Sequence, residues 1–281
     1  MKIKIWEKFY YACIVKYIFF GLYLVGYSIN HHLMKILVCI SNVPDTTAKI
    51  NFKDNDTQFD TQGVPFVINP NDEFGLTRAM WFKEQNGATV DVATVGDASV
   101  EATLRKALAI GADEAYRIDT PALDGYQVAA ELSALVKENG YDLVIAGRES
   151  IDYNGGMVPG MMAGILGYSF IHKCIELNID QQTATAVREI DGGKESLTAQ
   201  LPLVIGGQKG LVEEKDLKIP NMRGIMMARQ KPLKVLPGIG AQPLTQDIHF
   251  AKPEARSQTT MISKDNLDEL IEKLHTEAKV I

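Results

Sequence analysis

From Met34 onward, short apolar runs alternate with amphipathic stretches. The run KILVCI, residues 35–40, is continuously apolar, as a strand buried on both faces would be. Residues 71–86 read as a helix. Asn69 or Asn71 can cap it, Asp72 and Glu73 suit its positive end, and Gly87 stops it. ATVDVATVG, residues 88–96, is the next strand. DASVEATLRKALAIGAD predicts a second helix, with Ala102, Leu104, Ala107 and Leu108 on its apolar face and Gly111 at its end. EAYRID, residues 114–119, is a strand. DGYQVAAELSALVKENG is a third helix stopped by Gly140, and YDLVIAG, residues 141–147, is a strand again. Strands alternating with helices of this length predict an α/β fold: a parallel, Rossmann-like sheet with helices on both faces. Ligands of such sheets bind beyond the carboxyl ends of the strands.

After Tyr168 the pattern changes. FIHKCIELNI, TATAVREI and SLTAQLPLVIGG are three β-rich runs, separated by DQQ and DGGK. The segment from Asp191 to Lys194 suits a hairpin turn. These runs read as antiparallel additions to the sheet, which closes a nucleotide-binding α/β domain over residues 34–210. From Leu211 the periodicity weakens and prolines accumulate (Pro220, Pro232, Pro237, Pro243, Pro253), which predicts an extended arm leaving the domain. Within residues 211–281 a last helix carries Leu267, Leu270, Ile271 and Leu274 as its apolar face, with Ser263 or Asp265 as cap.

The amino terminus departs from this pattern. FYYACIVKYIFFGLYLVGYSI, residues 9–29, is almost wholly apolar and follows Lys2, Lys4 and Lys8. It is long enough to cross a bilayer, which takes about 20 residues. MKILVCISNVPD at Met34 is a natural first strand with its own methionine, so residues 1–33 read as an upstream extension outside the fold. Membrane association enters only if that extension is part of the working protein. Of the 281 residues, 46% are hydrophobic and 23% charged, as in ordinary globular proteins. Without residues 1–33 the basic residues fall from 29 to 25 and the acidic ones from 35 to 34, a net charge of −9. Such a surface does not attract nucleic acid. Cys13, Cys39 and Cys174 show neither paired spacing nor CxxC, so no disulfide framework or zinc site is expected. A reducing compartment, the cytoplasm, fits them.

The candidate chemistry gathers in GRESIDYNGGMVPGMMAGILG, which follows the strand ending at Gly147 and holds six glycines in twenty-one residues. Gly155 and Gly156 allow positive φ and close backbone approach. Pro159 fits the first turn of a helix, whose N–H groups would then face an anion such as a phosphate. Asp152 and Asn154 could bond a ribose or a base. The competing reading is tight helix-on-sheet packing through Gly160, Ala163, Gly164 and Gly167. There is no GxxxxGK[ST] and no GxGxxG after a strand. INPNDEF, residues 68–74, is an ordinary capped helix start unless it converges with the glycine loop. No nucleophile–base set stands out. Cys39 lies in an apolar strand as a core residue would, His172 has no partner motif, and Arg148 suits either a ligand phosphate or a surface ion pair.

INPNDEF…LTRAMWFKE, RKALAIGADEAYRI, YDLVIAGRESID…MMAGILGY, REIDGG and IPNMRGIMMARQKPLKVL occur in this order. Together they resemble the β subunit of electron transfer flavoprotein, including its FixA-like branch, from about Met34 to Leu236. The resemblance implies a heterodimer with a larger α subunit that holds most of an FAD. The β subunit is then a scaffold without catalytic residues of its own. It also implies a buried nucleotide in this subunit: AMP in the classical members, a second FAD in the electron-bifurcating ones. The nucleotide site carries over to Cys39, to Asn69, Pro70, Asn71 and Asp72, and to Val95. It continues through Ser150, Ile151, Asp152, Tyr153, Asn154, Gly155 and Gly156 to Met157, Val158, Pro159, Gly160 and Met161. Thr46 falls near the partner's flavin, Glu189 matches a carboxylate that meets the α subunit's flavin domain, and Leu211 matches the residue that docks onto flavin dehydrogenases of the acyl-CoA type. Where the family loop carries further acidic residues, Gln, Thr or Val, and Gly, this chain has Tyr153, Asn154, Met157, Val158 and Pro159. Side-chain bonds to a phosphate are lost there while backbone N–H groups remain, and Tyr153 is placed to stack on a base or to fill the site. VPDT at residues 43–46 resembles anaerobic and FixA-like members and keeps a bifurcating variant open. A free-standing adenine-nucleotide sensor would share the sheet and the loop but not the long arm.

Overall fold

The computed structural model describes residues 33–254 and 259–281. The apolar segment expected at residues 1–33 therefore lies, Leu33 apart, outside the described residues. The chain divides into two units. Of the described residues, one comprises those up to Lys49 with Gly63–Gln246, and the other comprises Ile50–Gln62 with those after Gln246.

In chain order the strands are β1 (Lys35–Cys39), β2 (Asn42–Pro44), β3 (Phe52–Lys53), β4 (Gln58–Phe59), β5 (Phe66–Ile68), β6 (Thr89–Val95), β7 (Glu114–Asp119), β8 (Leu143–Gly147), β9 (Ser169–Asp180), β10 (Thr183–Ile190), β11 (Gly193–Gln200), β12 (Leu203–Gly207) and β13 (Leu233–Pro237). The helices are α1 (Pro70–Asn86), α2 (Glu101–Ile110), α3 (Gly125–Asn139), α4 (Val158–Leu166), α5 (Met222–Ala228) and α6 (Leu267–Thr276).

The first unit is built on a nine-stranded sheet in the order β11-β10-β9-β12-β8-β1-β6-β7-β13. From β9 through β13 every neighbouring pair is parallel, while β9, β10 and β11 form an antiparallel meander at one edge. Strand alternation sorts the core into two faces. Ile36 and Val38 of β1 pack with Phe74, Leu76 and Met80 of α1 and Leu104 and Leu108 of α2. Leu37 and Cys39 pack with Ala129, Leu132 and Val136 of α3 and Met162 and Ala163 of α4. The helices start and stop as their chemistry dictates. Pro70 opens α1, and Gly87, at φ 72°, ends it by donating its N–H to Lys83. Asp124 caps α3 through Gln127 N–H, and Gly140, at φ 64°, ends it.

Three expectations are corrected. SLTAQLPLVIGG is not one antiparallel run. It breaks at Leu201–Pro202, and β12, buried along its whole length, returns to the parallel core beside β8. A run with no polar position suits a strand covered on both faces, whereas β11 alternates as an edge strand does. Nor does the chain leave the domain at Leu211. α5 packs on α2, and β13 pairs with β7 from Leu233↔Ala115 to Pro237↔Asp119, with Leu233 and Leu236 against the core. Pro232 and Pro237 are tolerated because β13 is an edge strand. Finally, the cap of α6 is Asn266, whose side chain accepts from Glu269 N–H; Ser263 instead accepts from Asp265 N–H in the preceding turn.

In the second unit β3 and β4 form a short hairpin. Phe250 stacks on Phe52 with ring centroids 5.0 Å apart, and its N–H bonds Asp56 O at 2.7 Å. Leu267, Leu270 and Ile271 of α6 are all exposed.

Candidate functional site

The order in which strands are added reverses at β1. The chain builds β1, β6 and β7 outward on one side, then places β8 on the other side of β1. The switch point therefore lies between the carboxyl ends of β1 and β8, where such sheets form their crevice. The two expected loops converge there. Asn69 Nδ2 donates to Glu149 O at 2.9 Å, Asn71 Nδ2 donates to the same oxygen at 3.1 Å, and Ile151 N–H reaches Asn69 Oδ1 at 3.3 Å. The side chain of Asn69 is thus committed to the glycine loop and makes no capping bond to its own helix.

Asp72, in the first turn of α1, joins the two strand ends. Its Oδ2 accepts from Ser41 N–H at 2.7 Å, and its Oδ1 accepts from Gly147 N–H at 2.8 Å and Asn69 Nδ2 at 3.0 Å. Burial pushes its carboxyl up to about 7, and these donors pull the other way. Gly147 is required for this approach, because a Cβ there would stand 2.3 Å from Asp72 Oδ1 and 2.8 Å from Asn71 Cβ.

Beyond β8, Ser150 and Ile151 are half-buried and Asp152, Tyr153 and Asn154 are exposed. Tyr153 is 64% exposed, so it does not fill the crevice. The expectation of positive φ at Gly155 and Gly156 is corrected. Asn154 takes the left-handed conformation, at φ 50°, as its short polar side chain allows. Gly156 serves close approach instead, since a Cβ would lie 2.7 Å from Arg148 O. α4 then starts at Val158 with Pro159 in its first turn, and its cap residue Met157 supplies no side-chain bond. The first-turn N–H groups of α4, among them those of Val158 and Gly160, are left to an outside acceptor such as a phosphate. Cys39, Val95, Ala146 and Met162 share one apolar cluster on this face, with Val158 and Met161 packed against it. Burial, reinforced by Asp72, pushes the Cys39 thiol up, so it is no nucleophile at neutral pH.

The residues expected at the partner surface separate. Thr46 is exposed on the loop after β2. Glu189, exposed on β10, accepts from Gln208 Nε2; Gln208 Oε1 in turn accepts from Arg148 Nη1 at 3.2 Å, and Arg148 Nη2 pairs with Glu149 at 2.5 Å. Arg148 is thus an ion-pair residue, and Gln208 is a network member that the sequence reading passed over. His172, beside Gly206, has its basicity lowered first by burial and then by Lys173 and Arg148. Leu211 is corrected: it is 4% exposed and packed in the core, where a Cβ on Gly207 would lie 2.9 Å from its Cδ2. Its side chain is not available to a partner. The most exposed apolar residues of that region are Ile219 (80%), Met222 (75%) and Met226 (68%), beside a groove of about 720 Å³ lined by Arg105 and Lys106 of α2 and Ile225 and Arg229. The i, i+4 spacing of Met222 and Met226 was the available signal. This groove lies at α2 and α5, not at the strand ends.

Among the described residues no group of His, Cys, Asp and Glu is arranged to hold a metal, and no helix is long and apolar enough to cross a membrane.

A family model for the electron transfer flavoprotein domain matches residues 56–238. The chain is 31% identical over 262 residues to the electron transfer flavoprotein subunit beta of Bacillus subtilis, covering 88% of this chain and 100% of that one. It is 34% identical over 260 residues to the mitochondrial subunit beta of Arabidopsis thaliana, with the same coverage of 88% and 100%. It is also 30% identical over 262 residues to the caffeyl-CoA reductase–Etf complex subunit CarD of Acetobacterium woodii, covering 88% and 98%.

Proposed function

Because the chain belongs to the electron transfer flavoprotein family and aligns with its β subunits, we propose that its strand-end crevice holds an adenine nucleotide while an α-type partner holds most of an FAD. As a β-type subunit it serves electron transfer and works with a flavin. The observation that carries the nucleotide reading is the convergence of the Asn69–Asp72 turn with the Ser150–Met161 loop beside an uncapped helix N-terminus.

The residues present fit such a ligand. Val158 and Gly160 offer backbone N–H groups for a phosphate, the face of Cys39 and Val95 offers an apolar bed for a base, and Asp152 and Asn154 stand beside the loop for a ribose. AMP is the simplest ligand for a site that binds through its backbone. A second FAD, with electron bifurcation, is the alternative, and it is supported by the similarity to a subunit of a CoA-thioester reductase complex. The flavin when bound supplies the one- and two-electron chemistry. The chain's own part is structural: Glu189, held by Gln208 and Arg148, and Thr46 meet the partner's flavin domain, exclude water and fix its approach. Dehydrogenases of the acyl-CoA type dock on the exposed ridge of Ile219, Met222 and Met226, which replaces Leu211 in that role. The exposed apolar face of α6 is a second contact, for the partner subunit. The buried free thiols Cys39 and Cys174 accord with work in the reducing cytoplasm.

The test is an anaerobic assay of the complex with its α partner and an acyl-CoA dehydrogenase. Flavin reduction that depends on the dehydrogenase and its substrate is expected. A complex whose flavin is never reduced by any such dehydrogenase would remove the carrier reading.

A further inference from the structure

The two strands at the switch point end in N–H groups that converge on one spot. Ser41 N–H beyond β1 and Gly147 N–H at the end of β8 are joined there by the Asn69 amide, at 2.7, 2.8 and 3.0 Å from carboxylate oxygens of Asp72. Donors converging in this way at a switch point form an anion hole, and doubly wound sheets offer such places to ligand phosphates. Here the anion is part of the chain. Asp72 is 2% exposed, is held by the first turn of α1, and leaves so little room that even a methyl on Gly147 would collide with it. No basic side chain contributes to its ionisation, and the titratable neighbour facing it is the Cys39 thiol. Backbone and amide N–H groups, with the Ser41 side chain, hold the charge as they would hold a ligand's.

We infer that Asp72 is a resident anion: its carboxylate fills the switch-point anion hole, keeps ligand phosphate out of the crevice between β1 and β8, and leaves the N-terminus of α4 as the one phosphate position at the strand ends. The occupancy stands on the geometry; its consequence for nucleotide placement rests on the nucleotide reading above. The three donors stay in place when the side chain is cut back, so a small carboxylate can take the position of the Asp72 carboxyl.

The test is Asp72→Ala in the full chain purified with its α partner, with sodium formate as the probe, at about pH 8 so that the native carboxylate is charged. The variant should lose about 5 °C or more of thermal midpoint, since buried N–H groups are left unpaired. Formate should restore about half of that loss and move the wild type by less than about 1 °C, with sodium chloride inert toward both. A folded variant that formate does not restore would overturn the inference, as would equal stabilisation of the wild type. If the alanine variant does not fold, Asp72→Asn decides. One amide oxygen cannot serve both strand ends, so hydrogen exchange at Ser41 or Gly147 should accelerate about tenfold or more, with the rest of β1 and β8 unchanged. Unchanged exchange at both amides would overturn the inference. Formate rescue in a complex that carries no nucleotide would uphold the resident anion and remove the nucleotide reading alone.

Discussion

Asp72 titrates in a place where burial and hydrogen bonding oppose each other. Burial wins and raises the carboxyl from 3.8 to about 7. A raised folded value means that the protonated form favours folding. That contribution is complete below 3.8 and is lost as the pH passes about 7, so this group's share of stability falls across the window by at most about 4 kcal/mol. Asp72→Asn removes the slope. Urea unfolding of wild type and variant should show the wild type losing ground steadily from about pH 5 to about pH 8. A wild-type-minus-variant difference that does not move with pH would contradict the titration. INPNDEF announced a polar helix start, and the acidic residues in its first turn were legible. Their use was not, because the partners of Asp72 stand 31 and 75 residues away in sequence. The role of Gly147, which a local reading treats as a strand terminus, follows from the same long-range contact.

At the scale of elements, hydrophobicity predicts burial but does not say which apolar residue stays outside. β7 was legible to the residue because EAYRID lies between a glycine stop and a Thr-Pro turn. β12 was legible as β but not as a core strand, because its register depends on pairing with β8 after a break at Pro202. β13 was hidden by the prolines at both of its ends. Leu211 and Ile219 look alike in sequence, yet one is in the core and the other is 80% exposed. The two substitutions should therefore separate. Leu211→Ala should cost about 2–5 kcal/mol of stability by leaving a cavity. Ile219→Glu together with Met226→Glu should leave the thermal midpoint within about 1 °C and lower kcat/KM for the dehydrogenase about tenfold or more. Thermal denaturation and steady-state kinetics on both variants check this. A kinetic defect in Leu211→Ala at unchanged stability would return the docking role to the loop that begins at Leu211.

At the scale of the molecule, the chain supplies a mostly parallel sheet, two strand ends stapled by Asp72, and apolar residues on α5 and α6 that are left exposed. A nucleotide at the strand ends, as proposed above, would distinguish it from a passive scaffold. The most direct measurement is to denature the complex of this chain with its α partner, release the bound nucleotides and count them by chromatography. The account predicts one adenine nucleotide beyond the partner's FAD: an AMP if the complex carries one flavin, a second FAD if it bifurcates. One FAD and nothing else would contradict it, and would leave the converging Asn69–Asp72 and Ser150–Met161 segments as packing alone.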